Sequence, residues 1–392
     1  MTDIQILLDN IPAEIQKRIQ QKEILKKEFE DHIGKIVIYG HGNLGVELAK
    51  GLENANWPVQ YFIDANQPTD MNKRVLNLND ANRTLSADTL IIVATYEYDT
   101  LSTYPVILND LRNRGFHNVI SVRDLRVWPE LFQAGHIHSL FSWDIEHIPA
   151  AKVLESFSLL DDITSKDVFK QLLRFFINSP REKMTLCPVS EQYMPTDLYS
   201  QIENEHIIDC GAYDGDTMRS FFSALGTWSS YTAIEADPHN VEKIKASICS
   251  DLPAHLQGKT RAVHAAVSNE TGEVSFCAGK DSAGHIGQSA LSKDYTISVP
   301  VIKLDDIIDK PATLIKMAVE GFELRALQGA ERLVRENQPL LAICGYNYQS
   351  DLWEIPLYLK KICPNHHIFL RNYVGIIEYV FYAVPEGRLL SK

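Results

Sequence analysis

Short apolar runs recur along the chain and alternate with stretches whose apolar residues fall three or four positions apart, the pattern of strands exchanging with helices in an α/β protein. Residues 4–32 open with a helical pattern. Pro12 suits a first helical position, and Ile15, Ile19, Ile24, Leu25 and Phe29 make a rough apolar stripe among charges. This arm is expected either to cover its own domain or to join two copies of the chain as a homo-oligomer. A strand at Lys35–Tyr39 leads to a helix marked by Val46, Leu48, Ala49 and Leu52. Further strands follow at Val59–Asp64, Thr89–Thr95 and Val119–Val122, with a helix at Val106, Leu108 and Leu111, so residues 33–125 read as a small Rossmann-like unit. Across 126–200 strand signals are scarce. Trp128, Phe132, Phe141, Trp143, Leu154, Phe157, Val168, Leu172, Phe175 and Phe176 keep helical spacing, which predicts a helical connector closed by Pro180.

From 201 to 392 the alternation returns. Strands are expected at His206–Asp209, Tyr231–Glu235, Val263–Val267, Gly272–Phe276, Ile297–Val301, Leu314–Val319 and Leu340–Ile343, with helices at Glu323–Asn337 and Leu352–Ile362. His367–Leu370 and Tyr379–Ala383 read as an antiparallel pair at the sheet edge, and Gly272–Phe276 with Ile297–Val301 as a hairpin. Pro300 has no N–H to give, which predicts an outer strand. The chain thus divides into an arm (1–32), a Rossmann-like domain (33–125), a connector (126–200) and a larger α/β domain (201–392).

Candidate chemistry is densest at Asp209-Cys210-Gly211-Ala212-Tyr213-Asp214-Gly215-Asp216-Thr217, where a strand turns sharply into a helix start. Gly211 and Gly215 let the backbone approach a ligand, and the first helical N–H groups face it. Twenty residues beyond Gly215, Glu235 ends the next strand in Glu235-Ala236-Asp237, where a carboxylate accepts hydrogen bonds from a ribose diol. A dinucleotide fingerprint needs glycine where this chain has Tyr213, and a pyrophosphate would be crowded. S-adenosylmethionine has no phosphate, and its amino-acid end needs only polar groups such as Asp209 and the N–H groups around Asp214. The expected cofactor site is therefore Asp209, Gly211, Ala212, Tyr213, Asp214, Gly215, Thr217, Glu235, Ala236, Asp237 and Val267. The front unit carries a complete G-x-G-x-x-G in Gly40-His41-Gly42-Asn43-Leu44-Gly45, with Asp64 nineteen residues on. A nucleotide or nucleotide sugar there and a purely structural turn are both open readings.

Composition narrows the partners. A net charge of -13 speaks against a nucleic-acid partner, which needs a basic surface. Six cysteines without a C-x-x-C pair fit buried thiols rather than disulfides or a metal site. With no basic leader before an apolar core and no run of 18 apolar residues, the expected place is the cytoplasm, with no membrane span.

Residues 193–384 resemble the FkbM family of S-adenosylmethionine-dependent methyltransferases, through Asp209–Thr217, Glu235 with Asp237-Pro238, Leu304-Asp305-Asp306, Ile315–Glu323 and Asp351–Pro356. The resemblance implies a seven-stranded methyltransferase sheet and a glycan or small-molecule hydroxyl acceptor in polysaccharide or natural-product assembly. The front half is similar to Rossmann-like domains attached to enzymes of surface-sugar biosynthesis. Where the family reads Asp-Val-Glu-Gly this chain has Ala318 before Val319-Glu320-Gly321; where it tends to Tyr-His, Tyr346-Asn347; where it tends to Arg-His, Arg371-Asn372. The catalytic set expected is Glu320 as base, with Asn347 and Asn372 orienting the acceptor. Two other readings stay open: a binding protein with weak or lost catalysis, favoured by Ala318, Asn347 and Asn372, and a nicotinamide-dependent sugar-modifying enzyme acting through the front unit.

Overall fold

Parallel strands organise both halves of the chain. In the computed structural model the described residues are 3–64, 70, 74–95, 103–132, 144–178, 183–277, 285–286, 296–375 and 378–390. They divide into two compact units, Met1–Ile148 with Gln171–Met184 and Pro149–Lys170 with Thr185–Lys392.

The first unit begins with helices α1 (Asp3–Asp9) and α2 (Ile11–Asp31). Strands β1 (Ile36–Tyr39), β2 (Val59–Ile63), β3 (Val75–Leu76), β4 (Leu90–Val93) and β5 (Val119–Ser121) form a parallel sheet in the order β3-β2-β1-β4-β5. Helices α3 (Asn43–Asn54), α4 (Leu78–Thr84) and α5 (Thr103–Asn113) connect its strands. The arm covers its own unit: Phe29 is fully buried, stacked on Trp57 with ring centroids 4.9 Å apart, and Trp128 meets Trp57 edge-on at 4.6 Å.

The expected connector divides between the units. Helix α6 (Ala150–Ser158) and the first half of α7 (Ile163–Asn178) fall in the second unit, the last turns of α7 in the first. Arg18 and Arg126 donate to the terminal α7 carbonyls of Phe175, Phe176 and Ile177. Phe141, Trp143 and Pro180 lie outside the described residues.

In the second unit, strands β6 (His206–Cys210), β7 (Ser230–Glu235) and β8 (Thr260–His264) build one half of the main sheet. A smaller sheet holds β9 (Ala266–Val267), β10 (Gly272–Cys277), β11 (His285–Ile286) and β12 (Thr296–Ile302) in the order β11-β10-β12-β9. The main sheet is completed by β13 (Leu314–Met317), β14 (Leu340–Cys344), β15 (His367–Asn372) and β16 (Tyr379–Val384), in the order β15-β16-β14-β13-β6-β7-β8, with β16 alone antiparallel to its neighbours. Helices α8 (Asp216–Leu225), α9 (Pro238–Asp251), α10 (Ala254–Gln257), α11 (Leu304–Ile307), α12 (Glu323–Gln328), α13 (Glu331–Asn337) and α14 (Asp351–Ile362) join these strands.

Two expectations are corrected. Pro300 lies on β12, an interior strand; it pairs with Glu273 of β10, but β9 meets β12 only at Val301 and Ile302, so Pro300 itself has one neighbouring strand and its missing N–H is tolerated. Glu323–Asn337 is two helices, broken at Gly329, where any Cβ would come 2.0 Å from the Ser268 carbonyl oxygen.

Candidate active site

The chain leaves β6 in one direction, to β7 and β8, and later returns on its other side as β13 and β14. The crevice at the carboxyl ends of β6 and β13 is thus a topological switch point. There the strand ends nearly touch. Gly211 has φ +74°, and a Cβ on it would come 1.8 Å from the Ala318 carbonyl oxygen, so no other residue fits. Gly215, also left-handed at φ +89°, starts α8, and Tyr213 between them is held at φ +48°.

Glu235 holds this turn in place. One carboxylate oxygen accepts the Tyr213 N–H at 2.9 Å and the other the Asp237 N–H at 2.8 Å, tying the turn after β6 to the turn after β7. Asp237 in turn caps α9 by accepting the His239 N–H. Burial pushes the Glu235 carboxyl above its ordinary value against the pull of those two N–H groups. Beside Glu235 the pocket wall turns apolar through Ile234, Ala236, Ala265, Ala266, Val267 and Phe276.

Beneath the turn sits a buried ion pair. The Lys316 Nζ lies 3.0 Å from Asp209 and donates to the Gly211 carbonyl at 2.7 Å, under the ring face of Tyr193; the Tyr231 hydroxyl donates to the other Asp209 oxygen at 2.7 Å. Burial, the largest single influence, lowers the Lys316 ammonium, but the Asp209 carboxylate and the other acidic groups around it together outweigh burial and the net shift is upward.

The third wall is Ala318-Val319-Glu320, on a turn that closes at Gly321. Glu320 takes φ +53°, and the turn is pinned from below by Glu323, whose carboxyl accepts the Val319 N–H at 2.8 Å and the Gly321 N–H at 3.0 Å. Asn347 donates to the same carboxyl at 3.2 Å. Burial, with Asp351 as the next cause, pushes Glu323 up to about 8, and burial pushes Asp351 up to about 7.

Of the expected cofactor residues, Gly211, Tyr213, Thr217, Glu235, Ala236, Asp237 and Val267 line the pocket, as does Glu320. Asp209, Ala212, Asp214 and Gly215 do not; Asp209 reaches it only through Lys316, and the Asp214 carboxylate is bound by Arg219 at 2.7 Å. Asn347 stands behind Glu323, and Asn372 ends the edge strand β15, outside the pocket wall. Lys316, Gln192, Tyr193, Asn240, Phe276 and Glu378 line the pocket without having been singled out by pattern. Lys316 alone left a signal, a charge inside the apolar run Leu314–Met317. His285 falls in the two-residue β11, and its neighbours Ala283, Gly284 and Gly287 lie outside the described residues.

In the first unit, Gly40, Gly42 and Gly45 with Asn43 and Leu44 form the β1–α3 turn, and Asp64 follows β2. Packing accounts for two of the glycines: a Cβ would come 2.6 Å from the Ala94 carbonyl oxygen at Gly40 and 2.0 Å from the Gly40 carbonyl oxygen at Gly45. Only Gly42 opens onto empty space.

A mixed seven-stranded sheet of this order, with its pocket at the switch point and a strand-end acid facing it, is the arrangement of the Rossmann-like methyltransferase fold. Residues 209–373 match the family model for the methyltransferase FkbM domain. A solved methyltransferase FkbM from Methylobacillus flagellatus KT superposes with a TM-score of 0.76, covering 97% of this chain and 100% of that one at 19% identity, so the likeness of fold spans both units. An rRNA methylase from Streptococcus thermophilus covers 52% of this chain and 98% of its own at 12% identity, with a TM-score of 0.33. No curated protein matches the chain in sequence. Among the described residues no helix is long and apolar enough to cross a membrane.

Proposed function

We propose that the second unit transfers a methyl group to a hydroxyl oxygen of a sugar, polysaccharide or natural product, with Glu320 as the proton acceptor. The observation that carries this reading is the pinned turn: Glu323 holds the two N–H groups on either side of Glu320, which presents a carboxylate to the pocket wall on a fixed backbone.

The pocket's donor set fits the family's cofactor. Each Glu235 oxygen holds one backbone N–H and keeps lone pairs for a ribose hydroxyl. The apolar strip Ala265–Val267 with Phe276 suits an adenine ring, and Lys316 supplies a cation for the methionine carboxylate. S-adenosylmethionine brings a methyl group already activated on a sulfonium; the protein's share is to align the acceptor and take its proton. Ala318 lines the pocket where the family's acid is expected, which leaves Glu320 as the base on this turn.

Glu320→Gln keeps the shape and removes the base. Turnover over a panel of sugar and glycan acceptors should fall by ~10²–10⁴-fold, the usual worth of one general base, while S-adenosylmethionine affinity measured by calorimetry stays the same. Undiminished turnover in Glu320→Gln would assign the proton to another group.

A further inference from the structure

The pocket wall carries five carboxylates, Asp216, Glu235, Asp237, Glu320 and Glu378, and among the described residues lining it Lys316 is the sole lysine or arginine. That cation is already matched by Asp209 at 3.0 Å. The groups orienting three of the acids are neutral donors: backbone N–H groups hold Glu235, Asp237 and Asp216. Such donors fix a carboxylate without cancelling its charge. At the Glu378 end the charges act on one another, for burial pushes that carboxyl upward and Asp216 and Glu320 add to the shift, against a hydrogen bond from Gln192.

We infer that this pocket sorts its ligands by charge, holding the cationic methyl donor well above the neutral thioether that remains after transfer, with Glu378 and Asp216 as charge-selecting residues. This inference rests on the methyl-transfer reading. Transfer breaks the sulfur–methyl bond, leaving its electron pair on sulfur, and forms an oxygen–methyl bond at the acceptor, whose proton passes to Glu320 and then to water. The sulfur goes from positive to neutral, while Asp216, Glu235, Asp237 and Glu378 take no part in the proton transfer. Their attraction for the ligand drops at the moment the product forms, and the spent ligand is released by the same field that gathered the donor.

The test is calorimetry on the full chain with S-adenosylmethionine and S-adenosylhomocysteine, at low and high salt, for the wild type and Glu378→Gln. The expected result is a donor affinity about tenfold or more above that of the product at low salt, a ratio that shrinks as salt screens the wall and shrinks again in Glu378→Gln. Equal affinities, or a tighter product, in the wild type at low salt overturn the inference, whatever becomes of the variant. Failure of the underlying reading looks different: the donor then shows no saturable binding at all.

Discussion

Lys316 and Asp209 compensate one another in a place where neither meets bulk water, and removing one partner strands the other. Lys316→Met should lower stability by roughly 3–5 kcal/mol, and the double variant Lys316→Met/Asp209→Leu should recover much of it, because a buried unpaired charge costs more than a buried apolar pair. Thermal or urea unfolding of the three proteins measures this; equal losses in the single and double variants would show that the pair is not the cause. The pair also marks how far residues could be read one at a time. Asp209 stands where a ligand contact is expected, but its partner lies on β13, more than a hundred residues away in sequence, and that neighbour turns it from contact to support. Glu235 combines both parts, since its place at a strand end is visible in sequence while its two backbone bonds are not.

At the scale of elements, the strands and helices of the five-stranded and seven-stranded sheets follow from apolar period almost throughout. The exceptions have local causes. β3 and α4 are short and carry no apolar pattern of their own. The break between α12 and α13 comes from Gly329 packing on Ser268 and from Asp305, whose carboxylate accepts the Arg332 and Leu333 N–H groups, contacts that no helical period records. The turn before α12 shows the same thing: pattern pointed to Glu320, while the residue that shapes the turn is Glu323. Its carboxyl is raised from 4.5 to about 8, so the folded state binds more protons than the unfolded state between those values. The stability this group contributes is fully present below about 4.5 and is lost as pH rises through about 8. The unfolding midpoint of the wild type should accordingly fall over that range, and Glu323→Gln should fall less steeply. Identical slopes would remove Glu323 as the source.

For the whole molecule, the second unit needs more chain than its sheet. Helix α6 lies against α14, with the Ser156 hydroxyl donating to the Trp353 carbonyl at 2.9 Å, and Arg371 of β15 is held by Asp162 and by Ser165 of α7. A fragment of residues 149–392 should fold and bind S-adenosylmethionine, whereas 201–392, which lacks these partners and the Gln192 and Tyr193 wall of the pocket, should unfold at a lower temperature and bind at least tenfold more weakly, since leaving the Arg371 guanidinium buried and unpaired is costly. Indistinguishable melting and binding by the two fragments would count against this division of the chain. Proximity in sequence favoured a separate connector there, because helical spacing says which face is apolar but not which surface it covers.

The aromatic cluster of the first unit has a use outside chemistry. Trp57 and Trp128 hold their rings 4.6 Å apart, while Trp228 and Trp353 belong to the second unit. Two indoles so close share their electronic excitations, and such a pair gives a two-signed band in circular dichroism that isolated indoles lack. The first unit therefore carries its own optical signature, readable without a dye or a tag.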